Sequence, residues 1–333
     1  YSRRDGEQTD SAAVSNPVDR RDYTRETALL KFVSDNRFGH TFRASVVRQE
    51  GQTLSDLNSM LGAGRYRSTT ALEGDDRQRM DVVNLAYEFG SPESWIDSGV
   101  LRGFWQQSDI DQYTLDERAA ARTPASIDRF FSYDQEIRGI ELNVWKSFSG
   151  RRTEHRFGIG VEYRNRSTEE FRDGISTDLA TGDRTNVLLG EVFPLRDFPI
   201  SDTTETAAFI EDTMSIGEKW TVIAALRADR YELSPKVDAM YLADFPDYET
   251  TRLDESDVSP KLGVIYSITP SVDTFVQYSH GFRAPPYSDA NVSLELPMFG
   301  VRAVPNPDLE SESSDGFDVG LRWYGLRSSA RIS

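Results

Sequence analysis

The stretch that decides the fold is residues 155–164, His-Arg-Phe-Gly-Ile-Gly-Val-Glu-Tyr-Arg. Apolar side chains occupy every second position, and the positions between them hold glycine or charged residues. Because successive side chains of a β-strand point to opposite faces, this run predicts a strand with one apolar face. That face consists of Phe157, Ile159, Val161 and Tyr163.

The same alternation recurs along the chain, which predicts an all-β protein with about a dozen strands. Residues 312–324 repeat it with Phe317, Val319, Leu321 and Trp323 on one face. Similar runs lie near residues 27–34, 40–49, 79–89, 96–107, 132–147, 205–214, 219–231, 258–267 and 273–282.

The connections between these strands alternate between tight turns and long polar segments. The short ones lie near residues 36–39, 90–95, 149–153, 215–218, 268–272 and 325–328. The long ones lie near residues 5–25, 50–78, 108–131, 167–204, 232–257 and 283–311, and within them residues 114–131 are expected to form a short helix. Short turns at one end and long loops at the other are typical of outer-membrane β-barrels.

Aromatic residues cluster near the short turns, where a girdle at one membrane interface would lie. They are Phe89, Trp95, Trp145, Phe148, Trp220, Tyr266, Trp323 and Tyr324. A barrel of this many strands has a lumen too wide for side chains to fill. The polar face is therefore expected to line the interior and the apolar face to contact lipid.

Composition excludes several other classes. The chain has 55 acidic and 38 basic residues, a net charge of -17, which argues against binding to a nucleic-acid backbone. It has no Cys, and its three His, at positions 40, 155 and 280, are too far apart for a local zinc motif. The chain contains no run of about 20 apolar residues, which is the length that a membrane-spanning helix requires. We expect no intrinsic cofactor, no metal site and no enzymatic activity.

Two motifs flank the last long loop. The first is Phe282, Arg283, Ala284 and Pro285, and the second is Asn306, Pro307, Asp308, Leu309 and Glu312. In this order they resemble the paired motifs of TonB-dependent outer-membrane receptors, and residues 209–212 and 226–231 resemble a hairpin of the same family. Arg283 is expected to lock the loop through bidentate bonds to nearby carboxylates.

Residues 1–6, 16–17 and 22–23 resemble the haem and haemoglobin-type subfamily. Its receptors usually bind haem iron with a His in the loop between the two motifs, but residues 287–305 contain no His. The candidate substitutes as ligands are His280, Tyr287 and Met298, because imidazole, phenolate and thioether can each ligate haem iron. The alternative for His280 is a hydrogen bond to a neighbour in the lumen.

The resemblance implies that residues 1–333 are one partial barrel domain, about half of a 22-stranded barrel without its plug, and an internal fragment of a longer protein. It implies uptake of an iron-containing ligand into the periplasm, with haem or haemoglobin favoured and a ferric siderophore as the alternative. The implied partners are outer-membrane lipids, the extracellular ligand and the TonB energy-coupling complex, in the bacterial outer membrane. A passive porin or a soluble β-rich carbohydrate-binding protein stays open as a different class.

Overall fold

The computed structural model describes residues 1–7, 18–36, 39–91, 95–119, 124–296, 299–325 and 328–333. The strands are β1 Ser2–Glu7, β2 Arg20–Asp35, β3 His40–Asp56, β4 Thr69–Gly90, β5 Ser98–Arg118, β6 Ala125–Ser149, β7 Thr153–Asp178, β8 Arg184–Thr185, β9 Val187–Leu188, β10 Glu191–Val192, β11 Ile200–Ile216, β12 Trp220–Lys236, β13 Leu253–Thr269, β14 Val272–Arg283, β15 Leu294–Leu296, β16 Val301–Ala303, β17 Glu312–Tyr324 and β18 Ser329–Ile332.

Helices contribute little to the fold. Two short α-helices are α1 Ala239–Asp244 and α2 Tyr287–Asn291, and two single 3₁₀ turns are Asn58–Met60 and Gly64–Tyr66. Neither α-helix of the described residues has the length and apolar content that crossing a bilayer requires.

One antiparallel sheet of 14 strands makes up most of the molecule. Its order is β1-β2-β3-β4-β5-β6-β7-β11-β12-β13-β14-β17-β18, with β8 attached to β7, and β9–β10 and β15–β16 are separate two-stranded ribbons. Within the described ranges β1 and β18 each pair with one neighbour only. The prediction of an open antiparallel barrel segment with two unpaired edges is therefore confirmed.

The connections follow the predicted alternation, but the strands are longer than predicted. The six predicted short turns fall between consecutive strands of the sheet, and residues 37–38, 92–94 and 326–327 within them lie outside the described residues. At the other end the strands continue into segments expected to be loops: β5 runs to Arg118 and β6 begins at Ala125. The predicted helix at 114–131 is therefore wrong for the described residues, while residues 120–123 lie outside them.

The extra length has a physical reason. A transmembrane strand needs only about 9–11 residues, whereas β7 has 26. Beyond the bilayer both faces of a strand contact water, so the apolar alternation disappears although the hydrogen-bond ladder continues. Polar sequence in these segments therefore indicated loops where the chain is still extended.

The apolar faces point away from the interior, as predicted. Val161 is 49% exposed, Val319 64% and Leu321 49%, whereas Gly158 and Gly160 on the opposite face of β7 are buried. A soluble protein with a dry core requires the reverse arrangement. The exposed apolar belt is instead what contact with hydrocarbon requires.

Glycines on the inner face are covered by aromatic rings of the neighbouring strand. Phe104 lies directly opposite Gly139, and Phe209 directly opposite Gly160. A Cβ atom added at Gly160 would lie 2.1 Å from Cε1 of Phe209, so the ring occupies the space that a side chain would need. Such cross-strand aromatic cover compensates for the missing side chain of glycine in a sheet.

We therefore expect Gly160→Val to destabilise the barrel by about 2 kcal/mol, because the valine would displace the Phe209 ring from its position. Urea unfolding of the full-length receptor in detergent micelles measures this. The matched control is Gly263→Val, where the nearest atom to an added Cβ is 3.8 Å away. Equal losses for the two variants would contradict the packing argument.

Candidate functional site

Three loops at the long-loop end fold together over the interior. We call their described residues the cap: residues 179–199, 237–252 and 284–311. The Ser293 amide donates to the Asp197 carbonyl oxygen at 2.6 Å. Asn291 accepts from the Thr251 amide at 2.6 Å and donates to the Thr251 carbonyl at 2.9 Å. The first bond joins the first and third loops, and the other two join the second and third.

The two motifs hold the third loop of the cap in place. Leu309 and Ala284 pack against a buried cluster of Tyr231, Leu233, Leu253 and Ala290. The Asn306 amide donates to the Ala290 carbonyl oxygen at 3.0 Å, and the Asn306 side chain accepts from the Asp308 amide at 3.1 Å. The Asn-Pro-Asp-Leu segment therefore folds back on α2 and closes the base of the loop.

Arg283 forms a weaker contact than the sequence indicated. Its Nη1 atom lies 3.6 Å from Oε2 of Glu312, and the two side chains are 72% and 76% exposed. An exposed pair with one long contact contributes little to stability. The structure therefore does not show the bidentate bonds that were predicted for Arg283.

His280 lies on β14 just beyond the point where this strand separates from β13. Pairing between β13 and β14 stops at Lys261 and Ser279, one residue before Pro260, which has no amide hydrogen to donate. Nδ1 of His280 lies 3.0 Å from Oδ1 of Asp315, and Nε2 lies 3.4 Å from Oδ2 of Asp257. Both ring nitrogens therefore have carboxylate partners.

Tyr287 begins α2 and points into the interior. Its hydroxyl is hydrogen-bonded to that of Tyr133 on β6, and its ring packs edge-on against Phe198 at 5.4 Å between centroids. Burial raises the pKa of this phenol, and the hydrogen bond to Tyr133 raises it further. Met298, the third candidate ligand, lies outside the described residues.

A recess of about 610 Å³ lies beneath the cap, and the first motif lines one side of it. Its wall includes Arg166, Arg227, Arg230 and Arg283 together with Glu205, Asp229, Tyr231, His280 and Tyr287. The structure thus brings together His280, Tyr287 and residues 282–285. A second recess, of about 750 Å³, lies on β1 to β5 and contains no motif residue.

Three arginines of the recess wall, Arg166, Arg227 and Arg230, were not among the predicted site residues. Arg227 is paired with Asp229 at 2.9 Å, whereas Arg166 reaches Glu205 only at 3.8 Å. The Nε atom of Arg166 is buried and has no hydrogen-bond partner. An anionic group entering the recess would supply the missing acceptor. The sequence signal that could have indicated these arginines is the alternation of charged residues at positions 162, 164 and 166.

A buried charge cluster anchors the first loop of the cap beside this recess. Arg196 is 8% exposed and donates to Asp238 Oδ2 at 2.9 Å, to Glu169 Oε1 at 2.7 Å and to the Glu170 carbonyl. Glu170 is 2% exposed; its Oε2 accepts from the Asp197 amide at 2.8 Å, and its Oε1 has no partner. Burial, with the Asp197 carboxylate, raises the pKa of Glu170 to about 7.

Residues able to hold a metal do not converge. Within the described ranges no group of three His, Asp or Glu side chains has the arrangement of a metal site. The recess wall itself offers arginine and hydroxyl groups to a ligand.

Comparison with known proteins identifies the family. Residues 9–333 match the family model described as TonB dependent receptor-like, beta-barrel. No curated protein matches the chain.

Solved structures share the fold at low sequence identity. The unliganded ferric citrate transporter FecA is 19% identical, with 92% of this chain and 41% of that chain covered and a TM-score of 0.56. The ferric preacinetobactin receptor BauA from Acinetobacter baumannii is 14% identical, with 97% and 46% covered and a TM-score of 0.53. The ferripyoverdine receptor of Pseudomonas aeruginosa is 10% identical, with 92% and 40% covered and a TM-score of 0.59.

The chain thus spans less than half the length of these structures. The family match covers nearly all of the chain, and the long-loop and short-turn ends agree with it. The family consists of transporters rather than enzymes. This chain belongs to the TonB-dependent receptor β-barrel family and is a protein of the bacterial outer membrane.

Proposed function

We propose that the whole protein is a TonB-dependent receptor that captures an iron-containing ligand at its extracellular mouth and delivers it to the periplasm. Residues 1–333 would supply part of its barrel domain, and the TonB complex would supply the energy. The observation that carries the proposal is the arginine-lined recess beneath the cap, which the first motif borders. A passive porin has no need of such a recess, so family membership and the recess both favour a receptor.

The contacts in the recess favour a ferric chelate with anionic groups over haem. Arg166 has an unpartnered buried Nε atom, and arginine binds carboxylate and similar oxygen ligands in bidentate geometry. Haem requires an axial ligand, yet both nitrogens of His280 are engaged by carboxylates, and the Tyr287 hydroxyl is engaged by Tyr133. Haem remains the second candidate because it also carries carboxylates that the arginines could bind.

The experiment uses the full-length receptor with two probes, ferric citrate and haemin. We expect Arg166→Gln to weaken ferric citrate binding about 10- to 150-fold, since a charge-assisted hydrogen bond contributes about 1.5–3 kcal/mol. Arg322→Gln is the matched control, because Arg322 lies near the short turn of β17 and outside the recess. Equal binding by Arg166→Gln and the unmodified receptor would contradict the proposed role of Arg166.

The haem alternative has its own readout. Haemin titrated into the unmodified receptor and into His280→Ala is followed by its Soret absorbance. A Soret shift in the unmodified receptor that disappears in His280→Ala would favour haem with His280 as ligand. With a ferric chelate as the ligand, neither protein shifts the band.

A further inference from the structure

One face of β2 carries two arginines with a tyrosine between them. Residues 21–25 read Arg-Asp-Tyr-Thr-Arg. Because alternate side chains of a strand share a face, Arg21, Tyr23 and Arg25 point to the same side of the sheet. All three residues are exposed, so their side chains are open to contact with a ligand.

This row of side chains faces the lumen. Phe104 on β5 covers an inward glycine and so marks the inner face. It is in register with Asn84 on β4, Ser45 on β3 and Lys31 on β2. Lys31 and Arg25 are six positions apart, and an even separation keeps two side chains of a strand on one face.

The row lies at the extracellular end of the lumen. Arg25 lies 10 positions and Arg21 14 positions before Asp35, the last residue of β2 at its short-turn end. A transmembrane β-strand crosses the hydrocarbon in about 9–11 residues. Arg25 is therefore at the outer edge of the membrane, and Tyr23 and Arg21 lie beyond it.

Arg25 lies directly opposite a second arginine, Arg4 on β1. Like charges that face each other on neighbouring strands are destabilising. On its other side Arg25 faces Gly51 of β3, where the nearest atom to an added Cβ is 3.8 Å away. The two arginines therefore stand beside open space, and an anion in that space would remove their repulsion.

A recess of about 440 Å³, which we call the β2 recess, lies over this space. Its lining includes Arg4, Arg21, Tyr23, Arg25 and Gln78. Asp76 is the one carboxylate among the described residues of this lining. The positive charge of Arg21 acts on Asp76, so the other two arginines have no carboxylate partner in the recess.

Other arginines on the inward face are paired with carboxylates. Nη1 of Arg102 lies 2.9 Å from Oε1 of Glu141, and Nε of Arg43 lies 2.9 Å from Oε1 of Glu88. In the part of the chain that the structure describes, no ion pair joins the three arginines of the β2 recess to a carboxylate. Such a local excess of positive charge, in a chain whose net charge is -17, indicates a site for an anion.

We propose that the β2 recess binds a small anion with two or more carboxylate groups. Guanidinium groups bind carboxylates in bidentate geometry, and Arg4 and Arg25 together would hold one carboxylate. Arg21 lies four residues from Arg25, about 13 Å along the strand, and would hold another. The Tyr23 hydroxyl lies between them and can donate to the same ligand.

This site is separate from the recess beneath the cap. The β2 recess is formed by β1 to β4, whereas the recess beneath the cap is formed by β7 to β14 and the third loop. The inference depends on charge and register alone. It therefore stands whether or not the transported ligand is a ferric chelate.

Isothermal titration calorimetry of the full-length receptor with iron-free citrate tests the site. The titration is carried out in the Arg166→Gln background, so that binding beneath the cap contributes less. We expect Arg4→Gln with Arg25→Gln to weaken citrate binding at least tenfold, because one carboxylate loses both guanidinium partners. Acetate, which has a single carboxylate, should bind at least tenfold more weakly than citrate.

The matched control is Arg43→Gln with Arg102→Gln in the same background, since both arginines already have carboxylate partners. Equal loss of citrate binding in this control would assign binding to the general potential of the lumen and overturn the proposal. Unchanged citrate binding by Arg4→Gln with Arg25→Gln, or equal affinity for acetate and citrate, would also overturn it.

The melting temperature shows whether the double variant folds. It should not fall in Arg4→Gln with Arg25→Gln, because the change removes a contact between like charges. If it does fall, Arg21→Gln alone decides the question. Citrate affinity that is unchanged in Arg21→Gln would then overturn the proposal, and a weaker affinity would support it.

Discussion

Replacement of Arg196 by methionine is expected to detach the first loop of the cap from the barrel wall. The guanidinium of Arg196 holds Glu169 and Asp238 and also donates to the Glu170 carbonyl. Arg196 is buried, but its partners Glu169 and Asp238 are 44% and 32% exposed. The loss should therefore lie at the lower end of the about 3–5 kcal/mol that removing one partner of a buried ion pair costs. Methionine fills much of the same volume, so the loss reports charge rather than packing.

Amide hydrogen exchange of the full-length receptor measures this effect. Arg172 and Leu195 exchange two backbone hydrogen bonds, of 3.0 and 2.9 Å, where the first loop joins β7. Their amides should exchange at least about 100-fold faster in Arg196→Met, since each 1.4 kcal/mol corresponds to a factor of ten. Arg283→Met is the control; its pair with Glu312 is exposed, so its cost should stay below about 1 kcal/mol. Similar exchange in both variants would show that Arg196 does not anchor the cap.

The wall of the barrel could be predicted from the sequence because its pattern is local. Alternation of residues such as Phe157, Ile159 and Val161 is set by the bilayer on one side and the lumen on the other, and each strand carries the signal by itself. The short turns were predictable for the same reason. Where the strands leave the membrane near Arg118 and Ala125, both faces contact water. The apolar alternation therefore ends there, and the sequence no longer predicts a strand.

The contacts of the recess and the cap could not be predicted because they depend on register and on loop folding. His280 meets Asp257 and Asp315 only because β14 separates from β13 above Ser279 while it stays paired with β17. Arg196 joins residues that are 27 to 42 positions away in sequence. The motifs lie beside the recess, but nothing in their spacing indicated that the Nε atom of Arg166 would have no hydrogen-bond partner.

Replacement of Glu170 by glutamine is expected to make the stability of the cap nearly independent of pH between about 5 and 8. Burial raises the pKa of Glu170 from 4.5 to about 7. An acid whose pKa is higher in the folded state favours folding below its unfolded pKa, and this contribution is lost as pH rises through the folded value. The cap of the unmodified receptor should therefore lose on the order of 3 kcal/mol between pH 4.5 and 7.

Glutamine keeps an oxygen to accept the Asp197 amide and cannot ionise. Protection factors of cap amides, corrected for intrinsic exchange, should fall about 100-fold from pH 5 to 8 in the unmodified receptor and much less in Glu170→Gln. Any remaining fall belongs to Asp197, Glu191 and Asp244, since burial raises the pKa of each of these cap carboxylates. Glu312→Gln is the control, because that carboxylate is 76% exposed. If the stability of the cap depends on pH as steeply in Glu170→Gln as in the unmodified receptor, a different group titrates, because the variant lacks the ionisable carboxyl group of Glu170.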